Sequence, residues 1–106
     1  LLPLLKSTFG FDAFRGRQAA VLDRVMTGQH ALAVMPTGAG KSLTYQLPAL
    51  ALDGTVVVIS PLIALMHDQL RGALAAGIRA ATLTSVDMDQ AETVARLRAG
   101  DLDLLY

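Results

Sequence analysis

The chain has 106 residues, 53% of them hydrophobic, which is enough for one small domain with a core. Nine basic side chains cancel nine acidic ones, so net charge gives no electrostatic footprint for nucleic acid, although a local patch stays open. There is no cysteine, which removes both a disulfide framework and a thiolate metal site from these residues. No apolar run approaches the ~18 residues of a membrane span. The opening Leu1-Leu2-Pro3-Leu4-Leu5 is too short for a signal peptide and lacks a basic lead. A soluble intracellular protein with no membrane partner is expected. The chain begins with Leu rather than Met and ends on what reads as a nascent strand, so both ends are expected to be cuts in something longer.

Residues 3–9 fit a short helix closed by Gly10. Phe9, Phe11 and Phe14 then fall within six positions, in a chain that is only 5% aromatic. A helix is predicted from about Arg17 to Thr27, stopped by Gly28, with Val21, Leu22, Val25 and Met26 as its apolar stripe. Gln18 lies three before Val21 and four before Leu22, so its amide shares the inward face. An unpaired buried amide costs about 1–3 kcal/mol, so Gln18 needs partners. Two readings fit. One is a capped helix with an aromatic anchor. The other is an adenine site, in which Gln18 matches the N6/N7 edge, Phe11 stacks on the ring and Arg15 reaches base or phosphate.

Ala31-Leu32-Ala33-Val34 reads as a buried strand, and Leu43-Thr44-Tyr45-Gln46-Leu47 starts a helix. Between them lies Met35-Pro36-Thr37-Gly38-Ala39-Gly40-Lys41-Ser42, giving the order strand, glycine-bearing loop, helix that a phosphate-binding loop requires. Gly38 and Gly40 accept positive φ, so successive N–H groups of residues 37–40 can turn inward around an anion at a helix N-terminus. Lys41 is electrostatically misplaced there by roughly 0.3–1 kcal/mol unless an anion is present. A β/γ-phosphate reverses that sign, and the Ser42 hydroxyl then falls to Mg²⁺. The plain alternative is a glycine-rich turn with an exposed Lys and a capping Ser. Met35 stands where small-molecule phosphotransferases keep a glycine. The motif points to nucleoside triphosphate.

Pro48 is expected to kink the helix from Lys41 or to begin a new segment, before Asp53-Gly54 ends it. Thr55-Val56-Val57-Val58-Ile59 shows no polar alternation, as in a parallel strand covered on both faces. Ser60-Pro61-Leu62 follows, then a helix from about Ile63 to Ala76 closed by Gly77. Its stripe is Leu62, Leu65, Met66, Gln69, Leu70, Ala73 and Leu74. Asp68 and Arg71 are spaced to pair, and His67 reads as a surface residue. Ala80-Ala81-Thr82-Leu83 is a third strand that delivers Thr84-Ser85 at its carboxyl end. Asp89-Gln90-Ala91-Glu92 reads as a capping box opening a helix to Ala99, ended by Gly100. Residues 102–106 start a fourth strand. The βαβαβαβ order predicts a parallel sheet with right-handed crossovers. Thr37, Ser60 and Thr84 then share one edge, the one where ligands of open α/β sheets collect. Ser60 fits either a strand-to-helix turn or a contact to phosphate.

A P-loop ATPase also needs a second metal-holding acid at a strand end and a group that positions the attacking water. No apolar run here ends in Asp-Glu. Asp53 follows Ala49-Leu50-Ala51-Leu52, but that run belongs to a helix. No arginine finger can be assigned.

Four stretches in order resemble the start of the helicase core of a RecQ-family, superfamily-two DNA helicase, over about residues 5 to 106. Phe9 to Gln18 is similar to the family's adenine-recognition motif, with Gly16-Arg17 in place of the commoner Pro-Gly. Met35 to Ser42 resembles its phosphate loop, where Met at the first position is usual. Ser60 to Gln69 resembles the motif after the second core strand, and Thr84-Ser85 a motif that contacts the DNA backbone. The resemblance implies an incomplete α/β P-loop NTPase (RecA-like) domain with helices flanking a parallel sheet. Residues 1–28 would form a helical lead and 29–106 the first part of the ATP-binding domain. It implies ATP and Mg²⁺ as cofactors and DNA, single-stranded and forked, as partner, with the rest of the helicase core. Phe11, Arg15 and Gln18 would select adenine. Pro36, Thr37, Gly38, Ala39, Gly40, Lys41 and Ser42 would hold the phosphates. Ser60, Pro61, Leu62, Thr84 and Ser85 would face DNA. Cytoplasm or nucleoid in a bacterium, nucleus in a eukaryote, is the implied location. The Asp-Glu-Ala-His acids, the arginine finger and a zinc site would lie after Tyr106. A P-loop small-molecule kinase and a non-catalytic nucleotide-binding module are the alternatives.

Overall fold

The computed structural model describes residues 1–36 and 40–106. Within them the chain forms two compact units, Leu1–Leu52 and Asp53–Tyr106.

In the first unit a short helix α1 (Leu2–Leu4) runs into a π-helical turn, Leu5–Phe9, that ends at Gly10. Helix α2 spans Gln18–Met26 and helix α3 Leu43–Ala51. Leu5, Leu22, Leu43 and Leu47 form one buried cluster, with Leu4, Phe9 and Phe14 packed against it. The spacing explains the contacts: Gln18 and Leu22 are four apart on α2, while Leu43 and Leu47 are four apart on α3, so each pair lines one face. The N-terminal lead is therefore packed into the same core as the helix that follows the glycine loop.

One expectation fails in this unit, and so does one alternative of another. Residues 31–34 form no strand, and Leu32 and Val34 are 94% and 90% exposed. A strand exists by its ladder, and among the described residues of this unit no other strand offers one. Helix α3 also runs through Pro48 as one element rather than restarting there. Pro48 is buried beside Leu47 and Ala49, and that packing offsets the lost hydrogen bond.

The second unit carries the sheet. Strands β1 (Val56–Val57), β2 (Ala80–Ala81) and β3 (Leu104–Leu105) are all parallel in the order β1-β3-β2. Val56 and Ala80 both register with Leu104, and Val57 and Ala81 with Leu105. Helix α4 (Ile63–Ala75) links β1 to β2, and α5 (Gln90–Arg98) links β2 back to β3. The crossovers run in opposite directions along the sheet, so the right-handed rule places the two helices on opposite faces. Accordingly Ala80, Ala81, Leu104 and Leu105 are all buried, with Leu97 of α5 packed on Ala81, Leu102 and Leu105.

The edge strand differs from its expectation. Val57 and Ile59 are 59% and 94% exposed while Val56 and Val58 are half-buried, so β1 is covered on one face only. Its apolar run matches a doubly covered strand, but an edge position supplies one neighbour rather than two. The capping box at α5 also fails to form. Asp89 is the N-cap residue, yet no side chain caps the helix there.

An ion pair at the other end of the strands fixes the register. The Arg79 backbone N–H donates to Asp103 Oδ2 at 3.0 Å and its Nη2 to Oδ1 at 2.8 Å, while the Arg79 carbonyl accepts from the Asp103 N–H at 2.7 Å. The hydrogen bond from the Arg79 side chain holds the Asp103 carboxyl below its usual range against the opposing effect of burial, helped by the Arg79 backbone N–H and charge. A carboxylate with a lowered folded-state pKa stabilises above its unfolded value of about 3.9, and that contribution is lost as pH falls through the folded value. Asp103→Asn is therefore expected to lower the thermal midpoint at pH 7, with the deficit shrinking below about pH 4. Thermal unfolding at both pH values checks this; a deficit that does not change with pH would contradict it.

Candidate nucleotide site

A cavity of about 290 Å³ opens in the first unit, lined by Phe9, Phe11, Ala13, Arg15, Gln18, Gly40, Ser42, Leu43 and Gln46. It joins the aromatic segment to the end of the glycine loop. That volume is near the lower end of the ~300–1,000 Å³ typical of small-molecule pockets.

The three aromatics divide their work. Phe9 and Phe14 pack on the leucine cluster, whereas Phe11 stays 58% exposed at the cavity. An anchoring role accounts for the first two rings but not for Phe11, whose open face is free to stack on a planar ligand. Arg15 is exposed, and its backbone N–H donates to Gln18 Oε1 at 3.0 Å. Gln18 is 4% exposed, and its Nε2 donates to the Gly40 carbonyl at 3.1 Å. The buried amide thus ties the aromatic segment to the loop, and these two bonds use one of its N–H groups and one lone pair.

Gly40 has φ 77°, and a Cβ there would overlap Gln18 Nε2. Only glycine satisfies both the left-handed backbone and the close approach. Lys41 is exposed and stands just ahead of Ser42, the N-cap of α3. The Ser42 carbonyl accepts from the Gln46 N–H at 2.9 Å, but its side chain makes no capping bond. The capping-serine alternative therefore fails. Pro36 is exposed; Thr37, Gly38 and Ala39 lie outside the described residues.

The remaining candidates leave the carboxyl edge of the sheet in the second unit. The Ser60 Oγ accepts the Leu62 N–H at 3.2 Å, which makes Ser60-Pro61-Leu62 a turn into α4. Its own O–H can still donate outward. Pro61 and Leu62 are exposed. The Thr84 N–H donates to Asp87 Oδ2 at 2.9 Å, and its carbonyl accepts from Gln90 Nε2 at 2.6 Å. The Thr82 hydroxyl donates to the same Asp87 oxygen at 2.9 Å. Burial pushes the Asp87 carboxyl up, but the bonds from Thr82 and Thr84, with a contribution from His67, outweigh it and leave the group below its ordinary range. The backbone of Thr84 is thus committed to holding the loop, and Ser85 is exposed beside it.

Sequence reading missed Asp87, Gln90 and Gln46. An Asp three residues after Thr84 is the available signal for the first, since short polar side chains bind nearby backbone in turns. For Gln46 the signal is helical spacing: it lies three after Leu43 on a face that turns out to be buried.

A parallel α/β sheet with flanking helices, and a glycine-bearing loop running into a helix, defines a P-loop NTPase. The family model for DEAD/DEAH box helicases matches residues 15–106. The chain is 50% identical over 99% of its length to an ATP-dependent DNA helicase RecQ of Haemophilus influenzae, of which it covers 17%. It is 42% identical over 97% of its length to the Bacillus subtilis protein of that name, covering 18% of it. It is 41% identical over 94% of its length to the ATP-dependent DNA helicase Q-like 2 of Arabidopsis thaliana, covering 15%. The chain belongs to the DEAD/DEAH box helicase family, on its RecQ side. It spans about a sixth of the length of these relatives. Among the described residues no helix is long and apolar enough to cross a membrane.

Proposed function

We propose that this chain supplies the adenine and phosphate contacts of an ATP-dependent DNA helicase of RecQ type. Residues 1–28 act as the lead carrying the adenine-recognition segment, and 29–106 as part of the ATP-binding domain. The observation that carries the reading is the cavity in which Phe11, Arg15 and Gln18 meet Gly40 and Ser42. Adenine stacks on Phe11 and is read by Gln18 and Arg15. Lys41 neutralises β/γ-phosphate charge, and backbone N–H groups of residues 37–40 complete the cradle. The Ser42 hydroxyl, which does not cap α3, suits Mg²⁺, which would supply charge neutralisation between the phosphates when bound.

On the sheet, Ser60, Pro61, Leu62, Thr84 and Ser85 face the backbone of single-stranded or forked DNA. Their common carboxyl edge supports this, and the hydroxyls of Ser60 and Ser85 are placed to donate outward. Translocation in the 3′-to-5′ sense belongs to the whole protein. So do the second acid, the arginine finger, any zinc site and the intracellular compartment that DNA work requires.

The test is ATP hydrolysis by the intact protein with and without single-stranded DNA. Hydrolysis that rises at least about tenfold with DNA is expected. Turnover indifferent to DNA would overturn the helicase reading.

A further inference from the structure

Gln46 lines the nucleotide cavity and has no established work to do. Its side chain is buried on the inward face of α3, between Leu43 and Leu47, at 8% exposure. Gln18, the other amide of the cavity, already donates to Gly40 and accepts from Arg15. No comparable bond is seen for the Gln46 amide among the described residues, and it faces the cavity. An amide in an apolar wall needs hydrogen-bond partners, and Gln46 lines the opening from which they can come. The apolar wall of α3 would be better served by leucine or methionine if packing were the only requirement. The cavity is where the amide can be satisfied.

We propose that Gln46 is a second specificity-determining residue of this site, hydrogen-bonding the edge of the nucleobase from the α3 side. The inference rests on the nucleotide reading above. The cavity is lined both by the aromatic segment with Gln18 and by Gly40, Ser42, Leu43 and Gln46 at the start of α3. Ser42 begins α3 and Gln46 lies one turn further along it. The phosphates take the Ser42 end, and the amide one turn on meets the nucleoside. A planar ligand stacked on Phe11 exposes an edge carrying both donor and acceptor. A carboxamide is the side chain that can serve both at once.

The experiment is competition binding to the intact protein with ATP, GTP and ribose 5-triphosphate, which keeps the phosphates and sugar but lacks the base. Gln46→Met preserves the length and apolar face of the helix. It is expected to weaken ATP about tenfold and to leave ribose 5-triphosphate unchanged, with KM for ATP raised and kcat at saturation kept. Should that variant fail to fold, Gln46→Glu keeps the shape and the acceptors but loses the donors, and the same ATP-selective loss is expected. Equal losses for ATP and ribose 5-triphosphate, or no loss for either, would overturn the role of Gln46. Wild-type protein that binds no ATP would instead overturn the nucleotide reading itself, so the two failures are distinct.

Discussion

Lys41→Ala in the intact protein is expected to cut DNA-stimulated ATP hydrolysis by at least about 100-fold, the usual scale for removing one preorganised charge from a developing anion. The same substitution should leave the unliganded fold intact or slightly firmer. Lys41 is exposed and stands immediately before the N-cap of α3, where the helix field is positive. A cation there opposes that field by roughly 0.3–1 kcal/mol, so removing it relieves a local conflict. Loss of turnover together with an unchanged or raised thermal midpoint is the signature of a residue kept for a ligand. A lysine serving only solubility would show neither effect. Steady-state hydrolysis and thermal unfolding on the same variant check both halves.

The site was legible where chemistry and spacing coincide. Gly40 and Lys41 stood out because a left-handed glycine and a cation ahead of a helix N-terminus are the residues that the proposed anion site calls for. Gln18 stood out as an amide in an apolar stripe, and it is buried and bonded as that position requires. The sequence could not say that its partner would be the Gly40 carbonyl, because that contact joins residues 22 apart. Local spacing carries no information about such a pair.

The sheet was legible in kind and less so in detail. Parallel pairing follows from strands separated by helices, and all three strands are parallel. Burial did not follow. The runs at 31–34 and 55–59 both read as fully covered, yet Leu32, Val34, Val57 and Ile59 are exposed. Apolar alternation reports what a strand can bury, whereas the number of neighbours decides what it does bury. The geometry of the loop after β2 was not legible for a related reason. Its geometry is set by Asp87, whose carboxylate gathers Thr82 and Thr84, and no motif of the family resemblance pointed to it.

The second large effect belongs to Gln18. Alanine there removes the amide from the cavity and also cuts the tie between the aromatic segment and the loop at Gly40. The second loss should weaken every nucleoside triphosphate alike, since it acts through the phosphate cradle. The first should weaken only the base that the amide fits, because an amide matches the donor and acceptor of adenine and not the O6 of guanine. The difference between two nucleotides therefore isolates base reading from loop support. One good bidentate contact is worth about 1–3 kcal/mol of discrimination, or roughly 5- to 150-fold in affinity. The decisive measurement is a calorimetric titration of ATP and of GTP into intact wild-type protein and Gln18→Ala. The account predicts that ATP loses at least about tenfold more affinity than GTP; equal losses for the two would contradict it.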